Sequence, residues 1–168
     1  LAGSPLVVPM ATPSLIRHIN QTRILRLLKE EGTLSRAELA RSLNLTRSTL
    51  TAVTDELMKM NLVIEAGEAF VTQATGRPGT GLKLNPEGAF FLGAEINVEQ
   101  IHLVLINLEG SIIYRRTKKL RSKKPAAVCR DVVNLVEAAW SVQLGNSDRL
   151  RGLGITVSAL VDIHGVIR

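Results

Sequence analysis

Apolar positions recur at helical spacing from residue 14 to about 61 and at strand spacing from about 90 onward. In the first block Ile16, Ile19, Ile24, Leu27 and Leu28 predict one helical stripe, with Ser14 placed to cap it and Gly32 to end it after Glu31. The next helix opens at Ser35-Arg36-Ala37-Glu38, where a hydroxyl and a carboxylate three residues apart satisfy each other's backbone donors. Leu34 and Leu39 stand at hydrophobic-staple spacing, and Leu45 and Leu50 repeat it around a third helix opening at Thr46. Only Leu43-Asn44-Leu45 separates these helices, and asparagine tolerates the left-handed conformation that so tight a turn requires. Two short capped helices joined this way predict a helix-turn-helix. Leu62–Glu65 and Leu82-Lys83-Leu84 read as the strands of a wing around a loop that contains Gly76-Arg77-Pro78-Gly79.

Beyond Asn85-Pro86, the segments Phe90–Ile96, Ile101–Asn107 and Ser111–Thr117 predict an antiparallel meander. Consecutive apolar residues at Leu103, Val104, Leu105 and Ile106 predict a sheet covered on both faces. Pro125 to about Val142 reads as an amphipathic helix with Val128, Val132, Val136 and Ala139 inward, and Leu153–Val157 as the next strand. Cys129 and Trp140 fall on or beside that buried face and are expected in the core. The expected fold class is α+β. Its divisions are a disordered tail over 1–13, a winged helix-turn-helix over 14–86 and an α/β domain over 87–168.

The third helix carries the candidate chemistry. With Leu50, Val53 and Leu57 inward, Arg47, Ser48, Thr51, Ala52 and Asp55 face outward. Small polar side chains let the backbone enter a major groove closely, hydroxyls reach base edges or phosphates, and Arg47 reaches guanine or phosphate. The expected major-groove set is Thr46, Arg47, Ser48, Thr51 and Ala52, completed as a DNA-contacting group by Ser35, Arg36 and Thr49. Arg77, held extended between glycine and proline, suits a narrow A·T-rich minor groove.

Composition narrows the picture without locating the site. Net charge is +6 over 168 residues, which favours polyanionic partners. Residues 1–84 carry 10 basic and 7 acidic side chains and 85–168 carry 11 and 8, so neither half holds the excess. Aromatics are 3% of a chain that is 45% hydrophobic, so the cores must be aliphatic. The single cysteine excludes an intrachain disulfide framework and fits a reducing cytoplasm. Residues 1–16 lack charge, but no basic segment precedes them, and Pro5, Pro9 and Pro13 break any helix, so a signal peptide is not expected. Leu1 is an unusual start, and Met10 is the expected initiator. The run Arg115–Lys124 holds seven basic residues in ten and reads first as a solvated strand end and loop.

Taken in order, these segments resemble the regulator branch of the ROK family (repressors, open reading frames and kinases). The pieces that carry the likeness are Ile19-Asn20, Leu34 to Ala40, Asn44-Leu45-Thr46, Asp55-Glu56-Leu57, Asn61-Leu62-Val63 and Gly76-Arg77-Pro78. Leu84-Asn85-Pro86, Leu92-Gly93, Leu108-Glu109-Gly110, Gly152 to Ile155, Val161-Asp162 and Gly165-Val166 follow. The resemblance implies that the second half is an incomplete actin-like domain of the sugar-kinase, ribonuclease H-like type. It also implies a repressor of carbohydrate genes, with a sugar or sugar-phosphate effector in full-length relatives. The expected partner is double-stranded DNA, and a homodimer is expected because two half-sites multiply affinity and specificity.

Three positions depart from the family pattern. Kinases of this fold have an Asp-x-Gly-x-Thr phosphate turn where this chain has Glu95-Ile96-Asn97-Val98-Glu99, which lacks the glycine and the hydroxyl and adds carboxylates. Ser158-Ala159 replaces the usual Pro-Gly, and Ala52 occupies a position often basic in relatives. His164 is expected in an exposed hairpin turn; the family's Glu-x-Gly-His segment and cysteine-rich zinc motif lie farther along than this sequence reaches. No enzyme activity, cofactor or metal is therefore expected. The competing expectations are a ROK-type sugar kinase with an accessory winged helix, and a winged helix used for protein contacts. The uncovered sheet edge of a partial domain is expected to make the chain self-associate or be marginally stable beyond residue 90.

Overall fold

The computed structural model describes residues 12–67, 80–145 and 148–158. The chain divides into two compact units, residues 1–84 and 85–168.

The first unit runs α1 (Pro13–Glu31), β1 (Leu34–Ser35), α2 (Arg36–Leu43), α3 (Arg47–Lys59), β2 (Val63–Glu65) and β3 (Gly81–Leu84). Thr12, not Ser14, caps α1: its hydroxyl accepts from the Leu15 N–H at 3.3 Å, and Ser14 bonds to that same hydroxyl. The cause is Pro13, whose preset φ begins the helix one residue after Thr12. Gly32, at φ +79°, ends it as expected. The buried line on α1 is Asn20, Ile24 and Leu28, whereas Ile16 and Ile19 are each 47% exposed. Five residues of helix turn the chain by about 140° net, so Ile19 and Ile24 cannot share a face. The stripe read from the sequence was two faces.

Helix α2 has its full capping box, and Asn44 closes it in the left-handed region at φ 53°. Ile24, Leu39, Leu50, Leu57 and Leu82 are almost completely buried and tie all three helices to the sheet. That sheet is antiparallel in the order β1-β3-β2, with Leu34 opposite Leu82 and Val63 opposite Leu84. Three helices closed by a small sheet with a β2–β3 wing form a winged helix-turn-helix.

The second unit runs β4 (Phe90–Ile96), β5 (Gln100–Asn107), β6 (Ile112–Lys119), α4 (Pro125–Leu144) and β7 (Leu150–Val157). β4, β5 and β6 form the expected meander, and β7 returns parallel to β4, giving the order β6-β5-β4-β7. Asparagines shape both hairpin turns. Asn97 Oδ1 accepts from the N–H groups of Glu99 and Gln100, and Asn107 Oδ1 from that of Ser111.

Alternate residues of β4 and β5, including Leu92, Ala94, Leu103 and Leu105, pack against Val132, Leu135 and Ala139 of α4. Among the described residues no second helix packs on the far face. Val104 and Ile106 are half-buried there, and Val104 stands opposite Gly93. Cys129 is exposed and Trp140 is 37% exposed, which corrects their assignment to the core. Both lie about 80–100° around α4 from the middle of its buried line.

Candidate nucleic-acid interface

Helix α3 begins on a linked set of hydroxyls. Thr46 Oγ1 accepts from the Thr49 N–H at 3.2 Å, donates to Thr49 Oγ1 at 2.9 Å and lies 3.1 Å from Ser48 Oγ. No acidic residue occupies the first turn, so the positive end of the helix dipole is uncompensated there. Thr46, Arg47, Ser48, Thr51 and Ala52 are exposed, and Thr49 is half-buried. Leu50, Val53, Thr54 and Leu57 are buried on the opposite side. Thr54 was not read from the sequence as an inward residue; its hydroxyl bonds back to the Leu50 and Thr51 carbonyls, which lets a polar group sit at 0% exposure. Arg47 has no ion pair among the described residues.

Ser35 and Arg36 stand differently. Ser35 is 6% exposed, and both its N–H and its hydroxyl donate to Glu38 Oε2, at 2.8 and 2.7 Å. Its side chain is committed to the cap and places α2 rather than presenting a group to solvent. These bonds hold the Glu38 carboxyl below the ordinary glutamate range, the Ser35 hydroxyl first and its N–H next; Arg41 adds in the same direction and partial burial opposes. Arg36 lies 3.7 Å from Asp55 and 3.9 Å from Glu65, with Met58 Sδ at 3.6 Å, so it links α2 to α3 and β2. It also borders a shallow recess shared with Ala37, Arg47, Leu50 and Thr51. Arg77 and the rest of the Gly76–Gly79 segment lie outside the described residues.

Two positioning groups escaped the sequence reading. Arg23 donates from α1 to the Leu43 carbonyl at 2.9 Å, satisfying the C-terminus of α2 beside the turn. Glu56 accepts from both Arg17 and Gln21, which fixes α3 against α1. The signal for Arg23 was the orphan carbonyl that every helix end leaves; which cation would reach it depends on tertiary packing.

Comparison with known proteins gives the same picture. The MarR family model matches residues 18–64, which span α1 to β2. A candidate xylose repressor of Caldicellulosiruptor sp. (strain Rt8B.4) is 30% identical over 154 residues, covering 91% of this chain and 38% of that protein. The xylose repressor of Bacillus spizizenii is 28% identical over 91% of this chain and 39% of its own length. A crystal structure of a ROK family transcriptional regulator, homologous to the Escherichia coli Mlc protein, superposes with a TM-score of 0.67 at 26% identity. It covers 87% of this chain and 37% of its own. The chain therefore spans under two fifths of the length of these relatives. The MarR match bears out the helix-turn-helix reading. The repressor relatives and the ROK regulator structure together bear out the likeness read from the sequence, with a winged helix followed by an actin-like α/β region.

Proposed function

We propose, taking as premise that this chain is a ROK-type transcriptional regulator over the part it shares with its relatives, that it binds duplex DNA through α3. The relatives are named repressors, and xylose repressors among them, so the regulated genes are taken to serve carbohydrate use in the cytoplasm. The observation that carries the reading is the exposed face Thr46-Arg47-Ser48-Thr51-Ala52 on a helix whose other side is wholly buried. That face is small, hydroxyl-rich and free of carboxylate until Asp55, so α3 can lie close to base edges with its N-terminus toward a phosphate. Arg77, which lies outside the described residues, is assigned to the minor groove on its Gly-Arg-Pro-Gly sequence alone. Two copies on a twofold-repeated site would multiply affinity and discrimination.

A kinase reading gains nothing from the second unit. At the β4–β5 turn the N–H groups of Glu99 and Gln100 are consumed by Asn97, and Glu95 accepts from Ser158 across the strands. Selection of duplexes from a random library, followed by fluorescence anisotropy against the selected and a scrambled sequence, tests the proposal. Salt-sensitive, sequence-selective binding is expected; indifference to all duplexes at low ionic strength would leave only a protein-contact role.

A further inference from the structure

We infer that β6 and the loop after it form a second, sequence-independent contact that grips DNA phosphates. This rests on the reading of the chain as a DNA binder. The run from Arg115 to Lys124 holds seven cations in ten residues, and β6 is the outermost strand of its sheet. Lys118 is bound to Asp131 at 2.7 Å. The other six, Arg115, Arg116, Lys119, Arg121, Lys123 and Lys124, are exposed and make no ion pair among the described residues. Among the described residues, Asp131 is taken up by Lys118, and Glu99 meets the run through its backbone carbonyl, which accepts from the Leu120 N–H. The start of α4 adds a field of the same sign, since its first turn has no acidic residue and Lys124 provides no side-chain cap.

Cations on an edge strand also discourage unwanted strand pairing. That accounts for Arg115 to Lys119, but not for Arg121, Lys123 and Lys124, which lie past the end of β6. The composition separates nucleic acid from protein as the partner. Protein interfaces are enriched in aromatics and depleted in lysine, whereas this run holds four lysines, three arginines and no aromatic residue. Such a surface matches a duplex backbone that presents a charge about every 1.7 Å.

The test is the salt dependence of duplex binding by the full chain and by an Arg121→Gln, Lys123→Gln, Lys124→Gln variant, all three changes being outside the strand. Each lost phosphate contact flattens the slope of log K against log salt by about 0.9, so a decrease of about 2–3 is expected. Affinity for the selected and the scrambled duplex should fall by the same factor. Amine-labelling of Lys119, Lys123 and Lys124 in the unaltered chain, with and without the scrambled duplex, should show protection and does not depend on the variant's folding. An unchanged slope together with unprotected lysines overturns the inference while leaving α3 binding intact. Protection by an added acidic polypeptide but not by duplex assigns the surface to a protein and overturns it as well. Failure of the unaltered chain to bind any duplex removes both readings at once.

Discussion

Thr46 serves two masters, since its hydroxyl caps α3 and also faces outward beside Ser48 and Thr49. Thr46→Ala should therefore lose about 1 kcal/mol of stability in urea unfolding as well as DNA affinity. Arg47→Ala should separate the two effects. It is exposed and makes no ion pair among the described residues, so stability should stay within about 0.5 kcal/mol, while anisotropy shows binding weakened by about 1–3 kcal/mol with relaxed preference at one base pair. Arg77→Ala should cost a similar amount on A·T-flanked sites; unchanged affinity there would remove the wing from the contact. Glu38 gives a pH-dependent prediction. Its carboxyl is held low in the folded chain, so its bond to Ser35 stabilises fully above the ordinary glutamate pKa and loses that effect as pH falls through the lowered value. The stability gap between the unaltered chain and Ser35→Ala should hold at neutral pH and narrow in acid.

Elements with strong local chemistry are legible in the sequence. The capping box at Ser35, the left-handed Asn44 and the cap at Thr46 are decided within a few residues of chain, and all three stand as read. Asn44 predicts its own test: replacement by isoleucine at φ 53° should cost about 1–2 kcal/mol, and replacement by glycine much less, measured by urea denaturation. What misled was periodicity without a partner. Ile16 and Ile19 look like core because they are apolar, yet only packing decides which side of α1 turns inward. Cys129 and Trp140 failed for the same reason on α4. At the interface, the exposed face of α3 was readable from spacing. The ion pairs of Arg36 with Asp55 and Glu65 were not, because they join elements 19 or more positions apart in sequence.

At the scale of the whole molecule, the two units hold their apolar surface unequally. The first closes its core around Leu39, Leu50 and Leu82. The second leaves Leu153, Ile155 and Val157 about half exposed along β7, which among the described residues is an edge strand of its sheet, parallel to β4. Such an edge favours pairing with another chain. Size-exclusion chromatography with light scattering should show concentration-dependent association of the 168-residue chain, reduced by Ile155→Lys. A compact monomer at all concentrations, with both units unfolding together, would count against this.

One side chain decides the central claim. Ala52 is exposed on the outer face of α3, and its side chain is a single methyl group, so Ala52→Trp should keep the melting profile while wedging α3 away from the groove. Anisotropy should then show the affinity for the selected duplex falling at least about a hundredfold, or about 2.7 kcal/mol, toward that of the scrambled one. A folded Ala52→Trp protein that still binds the selected duplex as tightly as the unaltered chain would place the DNA contact somewhere other than α3.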